Sequence, residues 1–194
     1  MKIIGITGGI GSGKSTVAKA LEIKGIPVYR ADVESKRLTR TSEEIRRLLT
    51  ERFGTLYGPN GGFKTKLFAS LIFNNPENLK AANAIIHPAV RRDFERWTQQ
   101  RRDFPILAIE AAILIESGFS NSVDLVVNVA SPLDLRIKRI KKRDINFTKE
   151  EIEARIKNQM PDEERSRLSD CIIYNDERHS LIEQTENLIN KLVF

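Results

Sequence analysis

Apolar residues fall into five short runs, separated by longer stretches in which they recur every three or four positions. Lys2-Ile3-Ile4-Gly5-Ile6-Thr7 is the first run, Ile26-Pro27-Val28-Tyr29 the second and Phe104-Pro105-Ile106-Leu107-Ala108-Ile109-Glu110 the third. Asp124-Leu125-Val126-Val127-Asn128-Val129 and Cys171-Ile172-Ile173-Tyr174 complete the set. Continuous runs of this length predict strands covered on both faces, as in a parallel sheet. Between them, Thr16 to Lys24 carries Val17, Ala20 and Leu21 at helical spacing, and Gly25 ends that helix. Glu43 to Phe53 carries Ile45, Leu48, Leu49 and Phe53, with Gly54 as its stop. Leu67, Leu71 and Ile72 mark a further helix to Phe73, and Asn75-Pro76-Glu77 starts another. Pro88 disfavours helical continuation from His87, so a separate helix is expected over Ala89 to Arg102. Ser131-Pro132 opens a helix as N-cap and N1. Thr148 and Glu151 form a capping box for an amphipathic helix through Ile152, Arg155, Ile156 and Gln159, and the last helix spans His179 to about Leu192. Strands alternating with helices predict an α/β fold with a five-stranded parallel sheet flanked by helices.

The stretch Gly8-Gly9-Ile10-Gly11-Ser12-Gly13-Lys14-Ser15-Thr16 sits between the first strand and the first helix and matches G-x-x-x-x-G-K-[ST], the Walker A pattern. Glycines let the backbone wrap an anion, and the loop N–H groups then form a nest for phosphate oxygens. The following helix adds the positive end of its dipole. Lys14 supplies charge for β- and γ-phosphates, and the Ser15 hydroxyl suits a hard cation such as Mg²⁺. Glu110 closes the third strand as a Walker B acid does, helping to hold that ion through water. Glu116 is a second acid nearby.

Asp32 follows the second strand, where ligands of open α/β sheets gather. It is either a carboxylate facing the transferred phosphoryl group or the N-cap of the next helix. His87 on its own reads as a structural cap or a ligand. Arg91, Arg92, Arg96, Arg101 and Arg102 read as a solvated face. The denser set Arg136, Lys138, Arg139, Lys141, Lys142 and Arg143 follows a strand's carboxyl end and reads as partly phosphate-facing.

The net charge is +6, spread along 194 residues with no basic tail, which favours phosphate-bearing small ligands over nucleic acid. No run approaches the ~18 apolar residues of a membrane span. A leader peptide is not expected, because its cleavage would destroy the glycine loop. One cysteine, Cys171, cannot form an internal disulfide, which suits a reducing cytoplasm. The expected partners are ATP and a small acceptor, without nucleic acid or membrane, in a monomer or small homo-oligomer.

Taken together, these residues resemble the dephospho-coenzyme A kinase family over nearly the whole chain. The resemblance rests on Ile6 to Thr16, on Ala31-Asp32, and on Ile72-Phe73-Asn74-Asn75-Pro76. It rests equally on Asn83 to His87-Pro88, Ile113-Leu114-Ile115-Glu116, Arg155-Ile156 with Gln159, and Ser169-Asp170 followed by Asn175. It implies a P-loop NTPase fold in one domain, with a nucleotide core (residues 1–31, 104–143 and 168–194), a helical acceptor-binding insert (32–103) and a helical lid (144–167). It implies ATP-dependent phosphorylation of the ribose 3′-hydroxyl of dephospho-coenzyme A, with Mg²⁺. Asp32 and Lys14 are then catalytic. ATP contacts come from Gly11, Ser12, Gly13, Lys14, Ser15, Thr16, Arg139 and Arg143. The acceptor is met by Asp32, Asn83, His87, Pro88 and Arg155, and the metal by Ser15 and Glu110. Four positions depart from the family pattern: Arg30 for an acid, Asn60 for aspartate, Thr65 for arginine and Ala112 for proline. Other nucleotide or metabolite kinases share the scaffold. A GTPase switch would need Asn-Lys-x-Asp, and the one Asn-Lys pair, Asn190-Lys191, is followed by Leu192-Val193. A nucleic-acid-stimulated ATPase would bind with steep salt dependence.

Overall fold

The computed structural model describes residues 1–73, 75–143, 148–157 and 159–193. Residues 144–147 of the expected lid, and Asn74 of the Ile72–Pro76 match, lie outside the described residues. The chain divides into two compact units, one of Met1–Arg30 with Arg101–Phe194, the other of Ala31–Gln100.

The first unit is built on five parallel strands in the order β2-β3-β1-β4-β5. They are β1 (Lys2–Thr7), β2 (Val28–Arg30), β3 (Ile106–Glu110), β4 (Leu125–Ala130) and β5 (Cys171–Tyr174). Two prolines set strand starts. Pro27 and Pro105 have no N–H to give a ladder. Each offers only its carbonyl, Pro27 O to Ala108 N at 2.9 Å and Pro105 O to Lys2 N at 2.8 Å. Regular pairing therefore begins at Val28 and Ile106, two residues later than the apolar runs suggest. Two aspartates extend the ladders at the same end of the sheet. Asp124 Oδ2 accepts from Ile3 N and Asp170 Oδ2 from Val126 N, each at 2.7 Å.

Helices α1 (Lys14–Ile23), α6 (Leu133–Arg143), α7 (Lys149–Lys157), α8 (Asp162–Arg167) and α9 (Leu181–Val193) belong to this unit. Ile4, Ile6, Val17, Leu21, Ala108, Val127, Val129, Ile173 and Leu188 form its core. Removing such side chains from water drives the layers together at about 25 cal/mol per Å² of apolar surface. Thr148 and Glu151 make the expected capping box: Thr148 N donates to Glu151 Oε2 (2.9 Å) and Glu151 N to Thr148 Oγ1 (3.2 Å). Cys171 is half-buried in β5. Helix α8 has no counterpart in the sequence reading. It is six residues long, too short to show a period.

The second unit is helical: α2 (Ala31–Thr41), α3 (Glu43–Phe53), α4 (Thr65–Phe73) and α5 (Pro76–Gln99). Ser42 caps α3 through Ile45 N, and Gly54 ends it at φ 79°. Asn75 caps α5 through Asn78 N at 3.0 Å. Leu38, Ile45, Leu49, Leu56, Phe68, Ile86, Val90 and Phe94 are buried here. The expected break at Pro88 does not occur, and α5 runs through it for 24 residues. A mid-helix proline costs about 3 kcal/mol, through a lost hydrogen bond and a clash one turn back. Ala82, Ile86, Ala89, Val90 and Phe94 form one buried stripe spanning the proline. Burial of that stripe outweighs the local cost. Among the described residues no helix is long and apolar enough to cross a membrane.

Candidate active site

Strand β1 delivers the glycine loop to the carboxyl edge of the sheet. Thr7 there is in register with Asn128 of β4, and Ile6 with Glu110 of β3. The backbone turns into α1 through Gly13, in the left-handed region at φ 101°. A side-chain carbon on Gly13 would lie 2.1 Å from Asn175 Nδ2, so the position needs glycine for space as well as for φ. Lys14 is buried, with 8% exposed, and its ammonium donates to Gly8 O at 2.9 Å and Gly9 O at 3.2 Å. Ser15 Oγ donates to Glu110 Oε1 at 2.7 Å. The two expected metal ligands, 95 positions apart in sequence, therefore meet. A hydroxyl and a carboxylate are hard oxygen donors, the set Mg²⁺ takes alongside phosphate oxygens and water. The residues present thus fit the ion. Arg30, the departure from the family pattern, lies beside them. Its guanidinium holds Glu22 (2.8 Å) and comes within 3.9 Å of Glu110 Oε2.

Asn175, just past β5, ties the loop to α6. Its Nδ2 donates to Ser12 O at 2.7 Å, and its own oxygens accept from Arg139 at 3.2 Å. Arg139 also donates to Ser131 Oγ at 2.9 Å. Of the expected ATP-side residues, Ser12 and Arg139 thus meet on Asn175, Lys14 is bonded to the loop carbonyls, and Ser15 is bonded to Glu110. Gly11 and Gly13 lie within the loop, Thr16 is exposed on α1, and Arg143 is exposed at the end of α6.

Four residues around the loop apex join the site without belonging to the expected ATP, acceptor or metal sets. Arg136 Nε donates to Ile10 O at 2.9 Å, and Gln159 Oε1 accepts from Ile10 N at 2.8 Å. Asp162 binds Arg136 and also Arg165 Nη1, the latter at 2.6 Å. Arg136 is 2% exposed and Arg165 fully buried. Burial pulls the Arg136 guanidinium below its ordinary pKa, while Asp162 works against that shift. The cluster of basic residues on α6 signalled Arg136 only as one of six. The contacts span 126 and 149 residues of sequence, beyond any local pattern.

In the helical unit Asp32 is exposed in the first turn of α2, two residues after β2. The helix begins at Ala31, so Asp32 is inside it and is not its N-cap. Asn83 and His87 are half-buried one turn apart on α5, on one face, with Pro88 exposed beside them. Burial, and then the charge of Arg91, push the His87 pKa down. His87 is inside the helix, so it caps nothing. Arg155 is exposed on α7. A cavity of about 490 Å³ in this unit is lined by Leu38, Ser42, Glu44, Ala89, Arg92 and neighbours, and by none of the expected acceptor residues. Among the described residues no three His, Cys, Asp or Glu side chains group as a metal site.

A strand running into a glycine loop, a buried loop lysine, and a serine bonded to the acid of a neighbouring parallel strand define a P-loop phosphotransferase. A family model described as dephospho-CoA kinase matches residues 2–180. The chain belongs to that family. It is 42% identical over 186 residues to a dephospho-CoA kinase of Bacteroides fragilis, covering 96% of this chain and 90% of the relative. A crystal structure from Thermus thermophilus superposes with a TM-score of 0.81 at 35% identity, covering 99% of this chain and 96% of the other. The dephospho-CoA kinase of Campylobacter jejuni shares the fold, with a TM-score of 0.69 at 24% identity over 98% and 96% of the two chains.

Proposed function

We propose that the chain transfers the γ-phosphoryl group of ATP to the ribose 3′-hydroxyl of dephospho-coenzyme A, giving coenzyme A and ADP. The observation that carries this reading is the 2.7 Å contact of Ser15 with Glu110 beside the buried Lys14, in a chain of this family. Phosphoryl transfer passes through a loose transition state, so catalysis is mostly positioning and charge stabilisation. Loop N–H groups from Gly11 to Thr16 and the Lys14 ammonium offset charge on the β- and γ-oxygens. For that, Lys14 exchanges its bonds to Gly8 O and Gly9 O for phosphate oxygens. Ser15 and Glu110 would hold Mg²⁺, which when bound supplies charge to the same phosphates. Arg139 and Arg143 complete the ATP side. Asn83, His87, Pro88 and Arg155 receive the acceptor. Asp32 orients the 3′-hydroxyl and takes its proton as the oxygen bonds to phosphorus and the β,γ-bridge breaks toward ADP. The single cysteine suits a reducing cytoplasm as the place of this chemistry.

The test is coupled ADP release with ATP, Mg²⁺ and dephospho-coenzyme A, beside adenosine, AMP and shikimate. Selective turnover of dephospho-coenzyme A supports the reading. Turnover of another acceptor rejects the substrate but keeps the kinase. Acceptor-independent hydrolysis alone rejects both.

A further inference from the structure

The apex of the glycine loop is gripped on its outer side by two side chains from far along the sequence. A trans peptide is a rigid plane whose C=O and N–H point in opposite directions. In the Gly9–Ile10 peptide, the Ile10 N–H is held by Gln159 Oε1 at 2.8 Å, and the Gly9 carbonyl at the opposite edge accepts Lys14 Nζ at 3.2 Å. In the Ile10–Gly11 peptide, the Ile10 carbonyl is held by Arg136 Nε at 2.9 Å. The Gly11 N–H, first of the groups assigned to the nucleotide, must point the other way. Two consecutive peptide planes are thus fixed from outside.

The grip matters because of what surrounds it. Ile10 lies between two glycines, the residues with the widest freedom to turn their peptides. The gripping residues are themselves held, Gln159 through its backbone and Arg136 through its side chain. Gln159 N donates to Ile156 O at 3.1 Å, and Met160 N, next in sequence, donates to Glu116 Oε1 at 3.4 Å while its carbonyl accepts from Arg165 Nη2 at 2.7 Å. Arg136 is buried on Asp162 and lies so close to Gly9 that a side-chain carbon there would be 2.3 Å from Nη2.

We infer that Gln159 and Arg136 are positioning residues that hold the Gly9–Ile10 and Ile10–Gly11 peptides in the phosphate-binding orientation, so that nucleotide affinity depends on a side chain nearly 150 residues from the loop. This rests on the proposed reading of the loop as the ATP site. Gln159 is the member to test, since it is half-buried and carries no charge.

Gln159→Met keeps length and removes the acceptor. Calorimetric titration of wild type and variant with ADP, and with inorganic tripolyphosphate, gives affinity and the fraction of binding-competent protein separately. Losing one hydrogen bond predicts about five- to tenfold weaker binding of both ligands at unchanged stoichiometry. The KM for ATP rises by a similar factor, while the KM for dephospho-coenzyme A and the Tm stay at wild-type values. Unchanged affinity overturns the inference and leaves the kinase reading standing. So does a fall in stoichiometry at unchanged affinity, because it marks a merely structural role. A wild type that binds neither ligand overturns the loop reading, and this inference with it.

Discussion

In the unit that carries the glycine loop, Lys14, Arg136 and Arg165 are at least nine-tenths buried, each bonded to backbone carbonyls and the two arginines also to Asp162. In the helical unit the paired arginines are exposed, and of the carboxylates only Asp93, 15% exposed and held by Arg37 at 2.8 Å and Arg96 at 3.3 Å, is largely covered among the described pairs. Arg92 meets Glu44 at 2.6 Å with both side chains more than half exposed, and Arg47 meets Glu51 at 2.8 Å in the same way. A buried charge must be matched in place, because leaving it unpaired costs several kcal/mol. An exposed pair is screened and contributes 0 to about 1 kcal/mol. Rigid charge in the first unit suits a ligand whose phosphates must be met by groups already in position. The helical unit supplies shape and a few polar groups, and its own stability depends little on its charges.

The largest expected effect comes from the buried charge nearest the phosphates. Lys14→Ala should lower kcat/KM for ATP by about 10³-fold, because no other loop side chain can match the β,γ-charge. Turnover near wild type in the coupled ADP assay would refute the loop assignment. Asp32→Asn tests the other side of the comparison, since Asp32 is an exposed residue of the helical unit. It should lower kcat by about 10²-fold or more while the ATP dissociation constant stays within about twofold. A near-normal kcat would remove Asp32 from the chemistry and leave that unit a purely steric one.

Two neutralising substitutions then compare the units by stability alone. Asp162→Asn leaves Arg136 and Arg165 buried beside a weaker acceptor. Asp162 is itself about half exposed, so the expected loss is about 2 kcal/mol, roughly 4–8 °C in Tm for a chain of this size. Glu44→Gln removes an ion pair of similar length on the surface, and its expected effect is below about 0.5 kcal/mol. Equal shifts in Tm for the two variants would erase the distinction between the units.

The distinction also separates what could be read in the sequence from what could not. The glycine loop with Ser15, and Glu110, were legible because the loop follows one strand marked by a continuous apolar run and Glu110 ends another, and parallel pairing then brings those strand ends together. Helix α3 was legible from Ser42 to Gly54, since cap, stripe and stop are all local. Asn83 and His87 share a face because four residues make about one turn. Pro88 misled because its local cost is plain in sequence, while the buried stripe that outweighs it belongs to tertiary packing. Arg136, Gln159, Asp162 and Asn175 carry no local signature. Each acts on a backbone group more than 100 residues away or on another member of that set, and one residue type in a charged helix looks like its neighbours. The N-cap reading of Asp32 failed by two positions, within the margin by which helix starts are hardest to place.

His87 gives the smallest and most local test, because burial there reaches a group that titrates near neutral pH. Its pKa is pushed down by burial first and by Arg91 second. The unfolded chain takes up the proton near pH 6.5, the ordinary value for histidine. The folded chain takes it up only at lower pH. Stability from a neutral His87 is therefore fully present above about pH 6.5 and falls as the pH drops below it toward the folded pKa. Urea unfolding of wild type and His87→Gln at pH 7.5 and pH 5.5 measures this directly. The wild type should lose more stability than the variant between the two, whatever constant offset the substitution itself brings. Equal losses would mean that burial does not hold down the proton affinity of His87.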